Sequence, residues 1–230
     1  MRLIIAIVGV IAFAAVATMA TLAGATPGTA VPTPSPALAV LEWPAGAPTD
    51  PPLFAHPRLL SGFIVPLKGV DLPESEQYLP NSPRDYRAGY HEGIDFPVPP
   101  GTPVVAAKAG SVVRVDAAFQ DWSLAEEHAA FAEAQALGFT PSGTLDRIRG
   151  RQVWIDHGRG IITRYAHLAS VAPLRVLDHV EAGDVVGTVG SSGYPEGGPH
   201  LHFEIRVGDD FYGDGLALPA LRFAISVAFR

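Results

Sequence analysis

The chain has 230 residues, a formal charge of −7, 24 glycines, 22 prolines and no cysteine. Without cysteine there are no disulfides, thiolate metal ligands or lipid on an N-terminal cysteine, and no block of Lys or Arg exists to grip phosphates, which argues against nucleic acid as a partner. The glycine and proline content suits short strands joined by many turns better than a helical bundle, and the length allows one domain of about 150–170 residues plus extensions.

Residues 3–25 carry no charge, follow Arg2 and end on Ala23-Gly24-Ala25. A basic start, an apolar run and a small-residue site in that order form a secretory signal. As a helix the same run would reach about 35 Å, so an uncleaved membrane anchor is the competing reading for residues 1–25. Both readings put residue 26 onward outside the cytoplasm, secreted or tethered, because Arg2 is the only early positive charge. Cleavage after Ala25 is favoured, and contact with the membrane is expected only through this segment if it is kept. Residues 26–60 hold nine prolines and only three charges, Glu42, Asp50 and Arg58, the composition of an extended spacer. The domain is then expected over residues 61–230.

Within it, strands are expected near 63–66, 104–107, 111–116, 151–156, 161–167, 184–189 and 200–207. His91-Glu92-Gly93-Ile94-Asp95 places an imidazole four residues before a carboxylate, and Gly93 with the prolines at 97, 99 and 100 argues for a bent strand end over a helix. Between 111–116 and 151–156, residues 117–150 read as a helical insertion. Ser123 and Glu126 form a capping box there, an Ala- and Glu-rich run follows to Leu137, and Gly138 stops it. Asp156 to Gly160 reads as a tight turn between two strands, which puts His167 at the far end of the second and makes His157 a turn residue. Residues 216–227 are apolar enough to add a final strand or a docking surface.

The most informative stretch is His200-Leu201-His202-Phe203-Glu204-Ile205-Arg206-Val207. Its strict alternation is that of a half-buried strand, on which His200 and His202 point the same way with Cα atoms roughly 6.6 Å apart. Neutral imidazole and carboxylate are natural zinc ligands, so this pair and the His91/Asp95 motif are candidates for one metal centre. Glu204 shares the face of His202 and reads equally as an orienting acceptor for it or as an ordinary surface salt bridge.

Taken together, residues 61–207 resemble the lysostaphin-type (LytM-like) zinc endopeptidases that cut peptidoglycan cross-links. The likeness rests on His91-Glu92-Gly93-Ile94-Asp95-Phe96, Gly101-Thr102-Pro103-Val104 and Ala106-Ala107-Lys108-Ala109-Gly110-Ser111-Val112-Val113. Asp156-His157-Gly158, Tyr165-Ala166-His167-Leu168, Gly183-Asp184-Val185-Val186-Gly187 and Gly198-Pro199-His200-Leu201-His202-Phe203-Glu204 follow in the family's order. The resemblance implies a mainly β domain, an antiparallel sheet with a groove walled by loops, in which the helical insertion is a departure from the family's short members. It also implies His91, Asp95 and His202 as ligands of Zn2+, and His167 and His200 as catalytic histidines beside it. Two imidazoles and one carboxylate would leave the fourth zinc position open to water, as in a catalytic site. Tyr86, Tyr90 and Tyr165 are candidate oxyanion donors.

The expected activity is hydrolysis of peptidoglycan peptides at the cell wall. Two alternatives stay open: a non-catalytic regulator or wall-binding module on the same fold, and a zinc peptidase acting on exported proteins. Residues 79–81, Leu-Pro-Asn, are a candidate latency segment over the metal.

Overall fold

The computed structural model describes residues 59–230; the apolar segment 1–25 and the spacer up to residue 58 lie outside the described residues. Leu59 and Leu60, which composition assigns to the spacer, are buried in the main core together with Phe63 and Leu67. Both leucines bury apolar surface against residues that composition assigns to the domain. Among the described residues no helix is long and apolar enough to cross a membrane.

The first half of the domain carries β1 (Pro83–Arg84), β2 (Gly89–Tyr90), β3 (Ile94–Phe96), β4 (Pro103–Val105), β5 (Gly110–Val115), α1 (Leu124–Leu137) and α2 (Ser142–Arg149). The second carries β6 (Val153–Asp156), β7 (Ile161–Ala166), β8 (Leu168–Val171), β9 (His179–Val180), β10 (Val185–Val189), β11 (Leu201–Val207), β12 (Asp210–Phe211) and α3 (Leu218–Ala228). One antiparallel sheet runs β12-β11-β7-β6-β5-β9, with β3 also paired to β11; a second runs β4-β10-β8, and β1 pairs β2. The domain is thus mainly antiparallel β, as expected.

The turn between β6 and β7 forms where Gly158 and Gly160 take φ of 77° and 74°, and Asp156 Oδ1 accepts from the Gly158 amide at 2.8 Å. His157 bonds the Ala109 carbonyl through Nδ1 and Thr163 Oγ1 through Nε2, a turn residue as expected. Two readings need correction. Residues 63–66 form no strand: Ile64 donates to Ala107 O and Pro66 accepts from Val105, but Pro66 has no N–H with which to extend a ladder. Residues 216–227 form neither strand nor docking surface; most of this stretch is α3, whose Leu221, Ala224, Ile225 and Ala228 recur at helical spacing and are buried in the core.

The insertion has the expected first helix. Ser123 Oγ accepts from the Glu126 amide, Glu126 Oε2 accepts from the Ser123 amide, and Gly138 closes the helix at φ 76°. The second helix, α2, offers little signal: it has eight residues and an apolar face of only Leu145 and Ile148. It is tied to β5 by the Arg114–Asp146 pair, two parallel bonds of 2.7 Å.

Candidate metal centre

The register of β11 builds the site. His202 stands opposite Asp95 of β3 on one side and Ala166 of β7 on the other. Cross-strand neighbours on one face bring their side chains together, so His202 Nδ1 lies 2.8 Å from Asp95 Oδ1. His91, four residues before Asp95, folds back so that its Nε2 is 2.9 Å from Asp95 Oδ1 and 3.0 Å from His202 Nδ1. Gly93 permits this close approach, since a Cβ there would meet the Phe203 carbonyl oxygen at 2.5 Å and the His202 ring at 3.0 Å.

His167 sits one residue past β7 with φ 59°. A non-glycine residue in the left-handed region is uncommon and marks a constrained position. The turn takes the imidazole out of the strand's alternation: Tyr165 is sealed in the core, whereas His167 lines the cleft over Asp95. Its ring centroid is 4.5 Å from that of His200 and 5.8 Å from that of His202. His200 Nε2 is 3.7 Å from Asp95 Oδ1. All five residues named from the sequence therefore converge on one cleft of about 440 Å³.

Outer hydrogen bonds set the proton positions. His91 Nδ1 donates to Leu79 O at 2.9 Å, His167 Nδ1 to Ser192 O at 2.9 Å, His200 Nδ1 to Gly198 O at 2.9 Å, and His202 Nε2 to Glu204 Oε1 at 3.1 Å. In the neutral rings, His91 Nε2 and His202 Nδ1 then meet Asp95 Oδ1 with lone pairs alone. Three converging lone pairs in a buried site repel one another unless a cation lies among them, so this donor set fits a metal ion.

The electrostatics agree. Burial works to raise the Asp95 carboxyl, but His91 and His202 hold it well below the usual carboxylate range. Burial likewise opposes charge on His202, yet its bonds to Asp95 and Glu204 lift it to about 9, so a proton on Nδ1 competes with a metal ion for this position and the neutral-ring arrangement is the one a metal would select. Burial lowers His91, and it pushes His167 well below its ordinary value, with His200 and His202 adding to the effect.

Several supporting residues escape the sequence. Arg84 Nη2 donates to Asp95 Oδ2 at 3.1 Å, which leaves Oδ1 facing inward. Glu204 is completely buried, because Arg149 Nε (2.5 Å), Arg164 Nη1 (3.2 Å) and Arg206 Nη1 (3.5 Å) all close on it. The orienting-acceptor reading of Glu204 is thus the one the structure shows, and β11 is buried on both faces along Leu201–Ile205 rather than half-buried. An unpaired acid in an apolar alternation signals a basic partner, but sequence does not say which. Glu92, His202 and Glu204 also group within metal-binding distance. Arg149 lies on both carboxylates, 3.7 Å from Glu92 Oε2, which makes this cluster an ion-pair network.

Of the three tyrosines, Tyr165 is excluded as an oxyanion donor: its hydroxyl is buried, accepting from the Ala107 amide at 2.7 Å and from Thr163 Oγ1 at 3.0 Å. Tyr90 does not line the cleft, whereas Tyr86 does, stacked on Tyr194 at 5.3 Å. Asn81 donates to Gly213 O and Leu216 O, and residues 79–81 are not among those lining the cleft.

Residues 89–213, more than half the chain, match the model of peptidase family M23. The DD-carboxypeptidase/endopeptidase Mpg of Neisseria meningitidis serogroup B is 32% identical over 117 residues, 51% of this chain and 20% of that protein. Lysostaphin of Staphylococcus staphylolyticus is 28% identical over 151 residues, 61% of this chain and 25% of that protein. The chain thus spans about a fifth to a quarter of these relatives. The solved catalytic domain of lysostaphin from Staphylococcus simulans is 26% identical, covering 59% of this chain and 80% of that one, with a TM-score of 0.36. A family match over residues 89–213 that includes every one of the five converging residues has a direct reading: the chain belongs to peptidase family M23.

Proposed function

We propose that the domain is a zinc-dependent endopeptidase that hydrolyses the peptide cross-links of bacterial peptidoglycan, acting outside the cytoplasm as a secreted or membrane-tethered protein. One observation carries this reading: His91 Nε2, Asp95 Oδ1 and His202 Nδ1 converge to within 3.0 Å of one another, with His167 and His200 beside them in an open cleft. His91, Asp95 and His202 would hold the metal, and zinc there would supply a Lewis acid that lowers the pKa of a water to about 7 and polarises the scissile carbonyl.

The chain's own residues handle the proton. His167 is kept neutral by burial, and with Nδ1 committed to Ser192 O its Nε2 lone pair is available to accept from the attacking water. The protonated His167 can return that proton to the departing amine, with the His200 ring 4.5 Å away beside the same cleft. Asp95 and Arg84 hold the ligand geometry, and Glu204 fixes the tautomer of His202. The names of the relatives, a DD-carboxypeptidase/endopeptidase and lysostaphin among them, support the wall as substrate.

The test incubates the purified protein with intact wall sacculi and, separately, with a denatured protein, each with and without a chelator. Amines released from sacculi alone, abolished by chelation and restored by zinc, are expected. Release from the denatured protein instead would favour a peptidase of exported proteins, and release from neither would favour the non-catalytic module; both outcomes overturn the proposal.

A further inference from the structure

The insertion between β5 and β6 reaches the centre from both of its ends. At the leading end Asp121 Oδ1 accepts from the Gly193 amide at 2.6 Å, and Trp122 Nε1 donates to Gly193 O at 2.8 Å. Gly193 follows Ser192, whose carbonyl accepts from His167 Nδ1 and whose hydroxyl donates to Leu168 O. At the trailing end the Arg149 carbonyl accepts from the His167 amide at 2.8 Å, while its guanidinium Nε donates to Glu204 Oε1. The two backbones touch: a Cβ on Gly150 would meet Ser192 O at 2.2 Å, and one on Gly193 would meet Ile148 O at 2.4 Å. Trp122, Phe131 and Ile148 give the insertion a small core of its own, so these contacts come from a packed body.

Three arginines hold Glu204, and they divide its two oxygens. Arg164 and Arg206 lie on Oε2, whereas Arg149 Nε lies on Oε1, the oxygen that accepts from His202 Nε2. A charge-assisted bond fixes where its acceptor oxygen sits, and that oxygen fixes the plane of the His202 ring and hence the direction of Nδ1. Arg149 is also braced from behind by Glu92 Oε2.

We propose that Arg149 is a positioning residue of the metal centre, acting through Glu204 Oε1 on His202, and that the insertion which carries it is part of the catalytic apparatus. This rests on the zinc reading above. Outer partners of metal-ligating histidines typically contribute about 10–100-fold in metal affinity or activity, and a lysine in place of a seated guanidinium keeps the charge but loses the fixed donor geometry.

The experiment compares Arg149→Lys and Arg149→Met with Arg164→Lys and Arg164→Met in the full protein. Folding is checked by thermal unfolding, zinc affinity by chelator competition, and ligand geometry by the visible spectrum of the cobalt-substituted form. Arg149→Met is expected to weaken zinc about 10–100-fold and shift the cobalt bands. Arg149→Lys should show a smaller loss with a shift in the same sense, and the Arg164 variants smaller changes than their Arg149 counterparts. Each Lys pair stands alone if a Met variant fails to fold. Arg149 variants that weaken zinc no more than the Arg164 ones, with unshifted bands, would overturn the inference alone. A parent protein that takes up no zinc would overturn the zinc reading and this inference with it.

Discussion

Asp95→Ala is expected to remove zinc and hydrolysis together. Asp95 supplies the only carboxylate of the three converging donors, and its Oδ1 touches both His91 Nε2 and His202 Nδ1. Without it two imidazoles face each other with no anion to offset a dication, and Arg84 loses its carboxylate partner inside a largely buried site. Arg84 keeps Ser82 Oγ, Pro83 O and Gln77 O as acceptors, so the accompanying loss of stability should be small. Metal analysis after exhaustive dialysis, alongside amine release from sacculi, reads both effects. Asp95→Ala that retains one zinc per chain would remove Asp95 from the ligand set.

His167→Ala is expected to separate the two effects: zinc stays and turnover is lost. The imidazole touches none of the three donor atoms through its own hydrogen bonds, since Nδ1 is committed to Ser192 O, yet it lines the same cleft. A positioned proton acceptor is typically worth about 10²–10⁴-fold, so kcat should fall by that order while zinc content and KM change little. The same metal analysis with steady-state kinetics separates the two variants. Near-normal turnover in His167→Ala would take His167 out of the mechanism.

Much of the fold was legible because it follows from local pattern. The period-two run from His200 gives β11, and the capping box at Ser123 with Gly138 gives α1 to the residue. The elements that sequence misplaces are those decided by distant packing. α3 reads as a final strand or a docking surface until a core is there to receive its helical face. α2 is too short to announce itself; distant partners hold it, Asp146 on Arg114 of β5, Ile148 against Trp122 and Phe131, and Arg149 on Glu204.

The site divides the same way. H-x-H and H-x-x-x-D are visible as donor types at workable spacing, and the family resemblance names the ligands. That Asp95 faces His202 depends on the register of β3 against β11, across 107 positions of chain. Glu204 could be weighed from sequence only as an even choice, because its burial comes from three arginines on different elements. Arg84 and Arg149 carry no motif at all, and His167 turns inward only through its left-handed backbone.

The most direct measurement is diffraction at the zinc absorption edge from crystals grown with zinc. The account predicts one ion bonded to His91 Nε2, Asp95 Oδ1 and His202 Nδ1 at about 2.0–2.2 Å, with its remaining position open toward His167 and His200. An ion bound elsewhere, or one closed off by a fourth protein donor, would contradict it.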